Sequence, residues 1–348
     1  MAEPDIEKLH RDRIAVWTIV IVVLVAALAL SLIAGICVGS TNIPVGRVLD
    51  ILLGRINDPT DPTVVIINQV RVPRVLLGAG VGAALSIAGV AMQGVFRNPM
   101  ASPSVVGLSA GAAFGASLSI VAGLSVATGL LAVPATAFVS CVGTALLVYG
   151  ISRTGGIVPV ETLLLAGIAV GSLFSALVSF FQFIAGEKLS SVVLWLLGGL
   201  GSASWQQVWI VLPIVAVGTF IIMLYARDLN LMTIGEEHAS SLGVDTNKVI
   251  LILILATSMV TAAAVSFAGI IGFVGLIIPH TVRLMVGPDH RILMPASILA
   301  GAAFLVDADA LSRVLMAPAE LPVGIITAVF GAPFFLYLLR RRKHMMGW

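Results

Sequence analysis

The residue types that most often carry chemistry are sparse in this sequence and lie far apart. Cys37 and Cys141 sit in separate apolar runs without CxxC spacing, so we interpret both as small buried hydrophobic residues. The five histidines form no zinc-ligand arrangement such as HExxH. The lysines do not lie in a GxxxxGK[ST] phosphate-binding loop. The sequence therefore predicts a non-enzymatic chain without a metal, haem or nucleotide site of its own.

The composition predicts a membrane protein with several crossings. Of the 348 residues, 59% are hydrophobic and 10% are charged, whereas about a quarter of the residues in soluble domains are charged. The mean hydropathy of +1.11 agrees with this class. The net charge is only +2, and Lys and Arg form no patch outside the segment flanks and the C-terminal tail. We therefore expect contact with membrane lipid and no nucleic-acid partner.

Ten apolar segments are long enough to be membrane-crossing helices, so the expected fold class is an all-α polytopic membrane protein. They lie near residues 14–38, 73–95, 105–126, 129–151, 161–184, 206–226, 247–268, 270–286, 292–309 and 322–340. The shorter run 192–200 is too brief to cross, and residues 39–69 are the longest stretch between crossings. We expect a tail over 1–13, one transmembrane domain over 14–343 and a second tail over 344–348.

Ten crossings place both termini on the same side of the membrane. The distribution of basic residues predicts that this side is the cytoplasm, with the chain in the cell (inner) membrane. In that orientation only six of the 19 Lys and Arg residues lie outside: Arg47, Arg55, Arg71, Arg74, Lys188 and Arg313.

Helix-breaking residues interrupt the apolar segments, above all over 266–343. In a bilayer such breakers persist only where protein or a water-filled path satisfies the backbone, which predicts a transport function. Acidic residues cluster at predicted helix ends and not near the bilayer centre. This weakens an ion-coupled secondary transporter, although that alternative stays open.

The polar stretch over 227–248, between the sixth and seventh crossings, predicts a pair of short helices. Gly235 and Gly243 are natural breaks in it, and apolar residues recur between them. Such a hairpin could dock in a groove of a soluble motor protein, and a merely solvated loop is the alternative. Because the chain lacks a phosphate loop, ATP-driven transport would require a separate ATPase.

Six sequence blocks carry a family resemblance. They are RVPR at Arg71–Arg74, AGVAMQGVFRNPMASPSVVGLSAGAAFG at Ala88–Gly115, WLLGGLGSASW at Trp195–Trp205, GEEHASSLGV at Gly235–Val244, GFVGLIIPHTVR at Gly272–Arg283 and AELPVGIITAVFGAPFF at Ala319–Phe335. Together they resemble the vitamin B12, haem and iron-siderophore permease family, the membrane subunits of type II ABC importers. The resemblance covers nearly the whole chain, from about residue 14 to 343.

The resemblance implies ten helices per subunit and a homodimer with its translocation path at the dimer interface. It also implies two ATPase subunits, which bind ATP and Mg, and an extracytoplasmic binding protein. The cargo would be a bulky metal chelate, and the sequence does not choose between ferric siderophore, haem and cobalamin. The residues implied to contact the ATPase are Leu231, Gly235, Glu236, Ala239, Leu242 and Gly243.

Three external arginines match family positions that meet glutamates of the binding protein: Arg71, Arg74 and Arg313. Anchoring to lipid headgroups is the alternative for them. The resemblance further suggests that the fifth segment lines the path through Ser172, Ser175 and Ser179. At the start of the fifth segment the family tends to have small hydroxyl residues, whereas this chain has Val160 and Glu161. We expect a narrow closure there, with ordinary core packing as the alternative.

Overall fold

A computed structural model describes residues 6–39, 41, 43–124, 129, 131–153, 155 and 157–345. Helices dominate these ranges. In chain order they are α1 (Ile6–Cys37), α2 (Val45–Leu52), α3 (Pro62–Val95), α4 (Leu108–Ala122), α5 (Ala132–Ser152), α6 (Val160–Ile184), α7 (Leu189–Leu197), α8 (Trp205–Leu224), α9 (Ala226–Met232), α10 (Glu236–Ser241), α11 (Thr246–Ala268), α12 (Val274–Val286), α13 (His290–Val314) and α14 (Val323–Met345).

The ten predicted crossings each coincide with a helix. Among the described residues, seven helices are long and apolar enough to cross a membrane: α1, α3, α5, α6, α8, α11 and α13. The shorter apolar helices α4, α12 and α14 complete the ten. The all-α polytopic fold is therefore confirmed. The remaining helices are short, and α7 overlaps the run 192–200, which is predicted to be too brief to cross.

The core lies around α3, α11 and α13. In their most apolar windows 83%, 78% and 61% of the residues are buried, against 17% in α1, which therefore runs along the outside of the bundle. Small residues allow the central helices to approach closely, because packing drives helix association in lipid. A Cβ atom added at Gly82 would collide with the backbone of Gly301, and one at Gly89 with the backbone of Gly275.

Two boundaries differ most from the expectation. Helix α3 begins at Pro62, so the stretch between the first two crossings is shorter than residues 39–69. Residues Ile66–Arg71 form a π-helical stretch that ends two residues before Pro73, and the Val72 N–H donates to the Ile67 carbonyl five residues earlier. This wider turn lets the helix continue through Pro73, which has no backbone N–H to donate. Helix α1 begins at Ile6, inside the expected tail.

Candidate functional site

The predicted hairpin between α8 and α11 exists and consists of α9 and α10. Its base is packed, since Leu229 and Met232 are buried and α9 contacts α3 and α13. Its tip is apolar and exposed: Ile234 is 66% exposed and Leu242 is 63% exposed. Gly235 adopts φ +141° between the two helices, a conformation that favours glycine. An exposed apolar tip on a firmly packed base is typical of a docking element.

The predicted contact residues divide into two groups. Leu242 and Gly243 are exposed, and Leu231 and Gly235 are half-buried. Ala239 is fully buried, so it packs the hairpin internally and its side chain is not on the docking surface. The side chain of Glu236 lies outside the described part of the structure. Their contact with an ATPase stays a prediction.

A hydrogen-bonded link ties the hairpin to the turn between α12 and α13. The Asn230 side-chain amide donates to Asp289 Oδ1 at 2.7 Å, and the His290 backbone N–H donates to Asn230 Oδ1 at 2.9 Å. Burial alone would raise the pKa of Asp289, but hydrogen bonds from the Arg291 N–H and Asn230 outweigh it and lower this pKa. The ionised carboxylate therefore accepts from both donors.

Helix α6 presents a continuous exposed stripe in the single chain. Ser172, Ser175 and Ser179 lie on this stripe, together with Glu161 near its start. The hydroxyls of Ser175 and Ser179 donate to the carbonyls of Gly171 (2.8 Å) and Ser175 (3.1 Å), one turn earlier. The opposite face packs against α4, where the rings of Phe114 and Phe174 stack at 4.9 Å. The predicted path residues thus share one accessible face.

At the start of α6 the predicted closure residues are not equivalent. Val160 is buried in the core and Glu161 is exposed, so only Glu161 could face a passage. The N–H of the nearby Val158 donates to Asn247 Oδ1 at 3.2 Å. Because Asn247 lies in the first turn of α11, directly after the hairpin, this bond connects the hairpin to the start of α6.

Arg71 is buried and caps a helix. Its guanidinium group donates to the carbonyls of Ile36 (2.8 Å), Cys37 (2.7 Å) and Thr41 (2.5 Å). The last carbonyls of a helix have no partner within the helix, so a cation satisfies them and complements the helix dipole. Arg71 thus holds the end of α1 onto α3.

Arg74 and Arg313 share one buried carboxylate. Arg74 Nε and Nη2 donate to Asp309 at 2.9–3.0 Å, and Arg74 Nη1 donates to Glu320 at 2.8 Å. Arg313 Nε lies 3.2 Å from Asp309 Oδ2, and its Nη atoms donate to carbonyls at the end of α1. Glu320 is the accessible member, with 38% of its side chain exposed.

The three predicted docking arginines therefore meet at one end of the bundle, but each is at least nine-tenths buried and is hydrogen-bonded within the chain. This burial does not fit lipid-headgroup anchoring, and docking through these arginines stays a prediction. A cavity of about 400 Å³ opens beside Arg74, Glu320 and the loop after α7. Within the described residues, no group of three or more His, Cys, Asp or Glu side chains could hold a metal ion.

Sequence reasoning missed Asn230, Asp289 and Asp309 as parts of this architecture. Asp309 follows Arg74 by 235 positions, so no local sequence pattern predicts that the two side chains form an ion pair. Asn230 carried a weak signal, because it is a polar residue between apolar ones in α9.

Comparison with known proteins gives a consistent picture. The model of the FecCD transport family matches residues 18–341. The cobalamin import system permease protein BtuC of Halobacterium salinarum is 50% identical over 80% of this chain and 74% of its own length. The hemin transport system permease protein HmuU of Yersinia pestis is 40% identical over 80% of this chain and 84% of its own.

A solved structure has the same architecture. It is a metal-chelate type ABC transporter in an inward-facing conformation, with a TM-score of 0.82 and 32% sequence identity. The match covers 92% of this chain and 98% of that one.

Proposed function

Because the chain belongs to the FecCD transport family, we propose that it is the permease subunit of an ATP-driven importer for a bulky metal chelate. The subunit performs no covalent chemistry. A separate ATPase supplies the energy, and a binding protein delivers the cargo on the opposite side of the membrane.

The observation that carries this proposal is the exposed stripe of α6. Glu161 and the serines Ser172, Ser175 and Ser179 lie on it, and polar groups that face lipid are costly. A second copy of the chain that faces this stripe would enclose it and create a water-lined passage between two α6 helices. The hydroxyls of Ser175 and Ser179 already donate within their own helix, so they offer a cargo only weak contacts, which suits passage better than retention.

The hairpin is the proposed contact with the ATPase. Docking would cover the exposed side chains of Ile234 and Leu242, which are both apolar. A displacement of the hairpin reaches α13 through Asn230 and Asp289, and it reaches α6 through Asn247. Alternating access follows when these two connections move the α6 helices of the two copies together or apart.

The binding protein is proposed to dock at the arginine end. Asp309 accepts from Nε and Nη2 of Arg74 and Glu320 accepts from Nη1, so an incoming glutamate would take the place of Glu320 on Nη1. Glu320 is partly exposed, so this exchange is geometrically open. Such a contact would orient the binding protein and speed its encounter with this chain more than it would increase the binding affinity.

Cobalamin is the first cargo to test, because the relative at 50% identity is a cobalamin import permease. Haem is the second, from the relative at 40% identity. Binding of each compound to the proposed partner binding protein would decide between them.

Thiol labelling tests the proposed path. In a background with Cys37 and Cys141 replaced by alanine, Ser175→Cys should react with a membrane-impermeant thiol reagent. The control Val139→Cys, on the exposed outer face of α5, should stay unlabelled because lipid covers it. Equal labelling of the two variants would contradict a water-lined passage along α6.

A further inference from the structure

A small pocket lies beside the hairpin, at the same end of the bundle as α9 and α10. Its volume is about 150 Å³. Some of its lining residues are buried, among them Gln93 and Gly94, whereas Thr233 and Pro288 are exposed. Because exposed residues border it, the pocket is open to a side chain that arrives from outside the chain.

Arg283 lines this pocket, and its guanidinium group has no partner. The residue is half-buried in the last turn of α12. No described residue accepts a hydrogen bond from it or forms an ion pair with it. The helix dipole favours a basic residue at this place, but a cation that is partly removed from water remains costly without an acceptor. Arg283 is therefore prepared for an anion that this chain does not supply.

The pocket holds no acid that could compensate this charge. Among the described residues, no acidic side chain lines it. Asp289 is the sequence neighbour of the lining residue His290, but its Oδ1 already accepts from the Asn230 side chain and from the Arg291 N–H. An anionic group that enters the pocket would thus meet Arg283 without a competitor from the pocket wall.

The position of the pocket favours a protein as the source of this anion. Three of its lining residues lie in turns between helices: Pro99, Thr233 and Pro288. Thr233 is followed directly by Ile234, the exposed apolar residue that the proposed ATPase would cover. A protein surface seated on Ile234 therefore also lies next to the pocket. The protein group that best fits a guanidinium is a carboxylate, because its two oxygens match the planar fork of N–H donors.

We propose that the ATPase inserts an Asp or Glu side chain into this pocket, where its carboxylate pairs with Arg283. This inference rests on the proposed docking of an ATPase on the hairpin, and it adds a contact that lies outside the hairpin. The apolar tip supplies contact area, and the charge pair fixes the orientation of the ATPase. A partner held by both Ile234 and Arg283 would move the hairpin and α12 together.

A binding titration of the proposed partner ATPase against the purified chain in detergent tests this pair. Arg283→Gln should weaken ATPase binding at least about tenfold, because the inserted carboxylate would lose its partner. The control Arg291→Gln changes an exposed arginine outside the pocket. It should weaken binding by no more than about twofold, because solvent screens its charge. Equal effects of the two variants would overturn the proposal.

Two further readouts separate this contact from a structural role of Arg283 and from the docking proposal itself. Since Arg283 has no partner in the free chain, Arg283→Gln should leave the thermal unfolding of the free chain unchanged, and a clear loss of stability would overturn the proposal. Leu242→Asp tests the hairpin tip alone. If Leu242→Asp weakens ATPase binding and Arg283→Gln does not, the pocket contact is refuted while docking on the hairpin stands. If neither variant weakens binding, docking on the hairpin is refuted as well.

Carbodiimide coupling identifies the inserted carboxylate. In the complex of the Arg283→Lys variant with the ATPase, the reagent should join the introduced amine to an Asp or Glu side chain of the ATPase, which mass spectrometry would locate. The unsubstituted chain has no amine at this position and serves as the control. Absence of this cross-link would overturn the proposal. Retention of phosphatidylglycerol by the unsubstituted chain but not by Arg283→Gln would overturn it too, because the partner of Arg283 would then be a lipid headgroup.

Discussion

Asp309→Asn removes the charge that holds two buried arginines together. The Asp309 side chain is 1% exposed, and those of Arg74 and Arg313 are 7% and 3% exposed. The amide keeps the shape of the carboxylate but leaves two guanidinium groups side by side with only Glu320 to compensate them. Breaking a buried ion pair by removing one partner costs about 3–5 kcal/mol. Since Arg74 retains Glu320, we expect a loss of about 3 kcal/mol in the free energy of unfolding.

The matched control is Glu320→Gln, which changes the other carboxylate on Arg74. Its side chain is 38% exposed and makes one hydrogen bond of 2.8 Å, so we expect a loss of about 1 kcal/mol or less. Denaturant unfolding of the purified chain in detergent, followed by tryptophan fluorescence, gives both values. If Asp309→Asn destabilises the chain no more than Glu320→Gln does, the arginine cluster does not hold this end of the bundle together.

Three further predictions concern the hairpin and the helix packing. Leu242→Asp should weaken ATPase binding at least about tenfold in a pull-down titration, since it removes an exposed apolar contact, whereas Ser240→Asp, two residues earlier in α10, should have little effect; equal effects would contradict docking through the apolar tip. Asn230→Ala should preserve ATPase binding but reduce transport in vesicles, because the link to α13 is lost, and unimpaired transport would refute that link. Gly167→Leu should destabilise the chain by about 1–3 kcal/mol, because a Cβ atom there would lie 2.7 Å from Val106 Cα, while Gly143→Ala, with nothing within 4 Å, should be neutral or slightly stabilising; equal stability of the two in thermal unfolding would argue against a tight contact between α6 and the turn that precedes α4.

The positions of the membrane helices could be predicted from the sequence because burial in a bilayer requires an apolar run of known length. The hairpin could be predicted because Gly235 and Gly243 interrupt a polar stretch that still contains apolar residues. The start of α3 could not, because Pro73 suggests a helix beginning. In the structure the π-helical stretch carries the helix through that proline.

The arginine cluster shows the limit of local reasoning. The sequence places Arg71, Arg74 and Arg313 near helix ends, where exposure is the ordinary expectation. Burial became possible because α13 brings Asp309 against α3 and because the end of α1 offers free carbonyls. Both depend on tertiary packing, which hydropathy and spacing do not specify.

Uptake into vesicles tests the central claim most directly. The purified chain would be reconstituted with its proposed partners, an ATPase and a binding protein, and labelled cobalamin would be supplied with the binding protein. We predict uptake that requires both ATP and the ATPase, and that Leu242→Asp abolishes. Uptake at full rate without the ATPase, driven by a proton or sodium gradient, would contradict the account and favour an ion-coupled transporter.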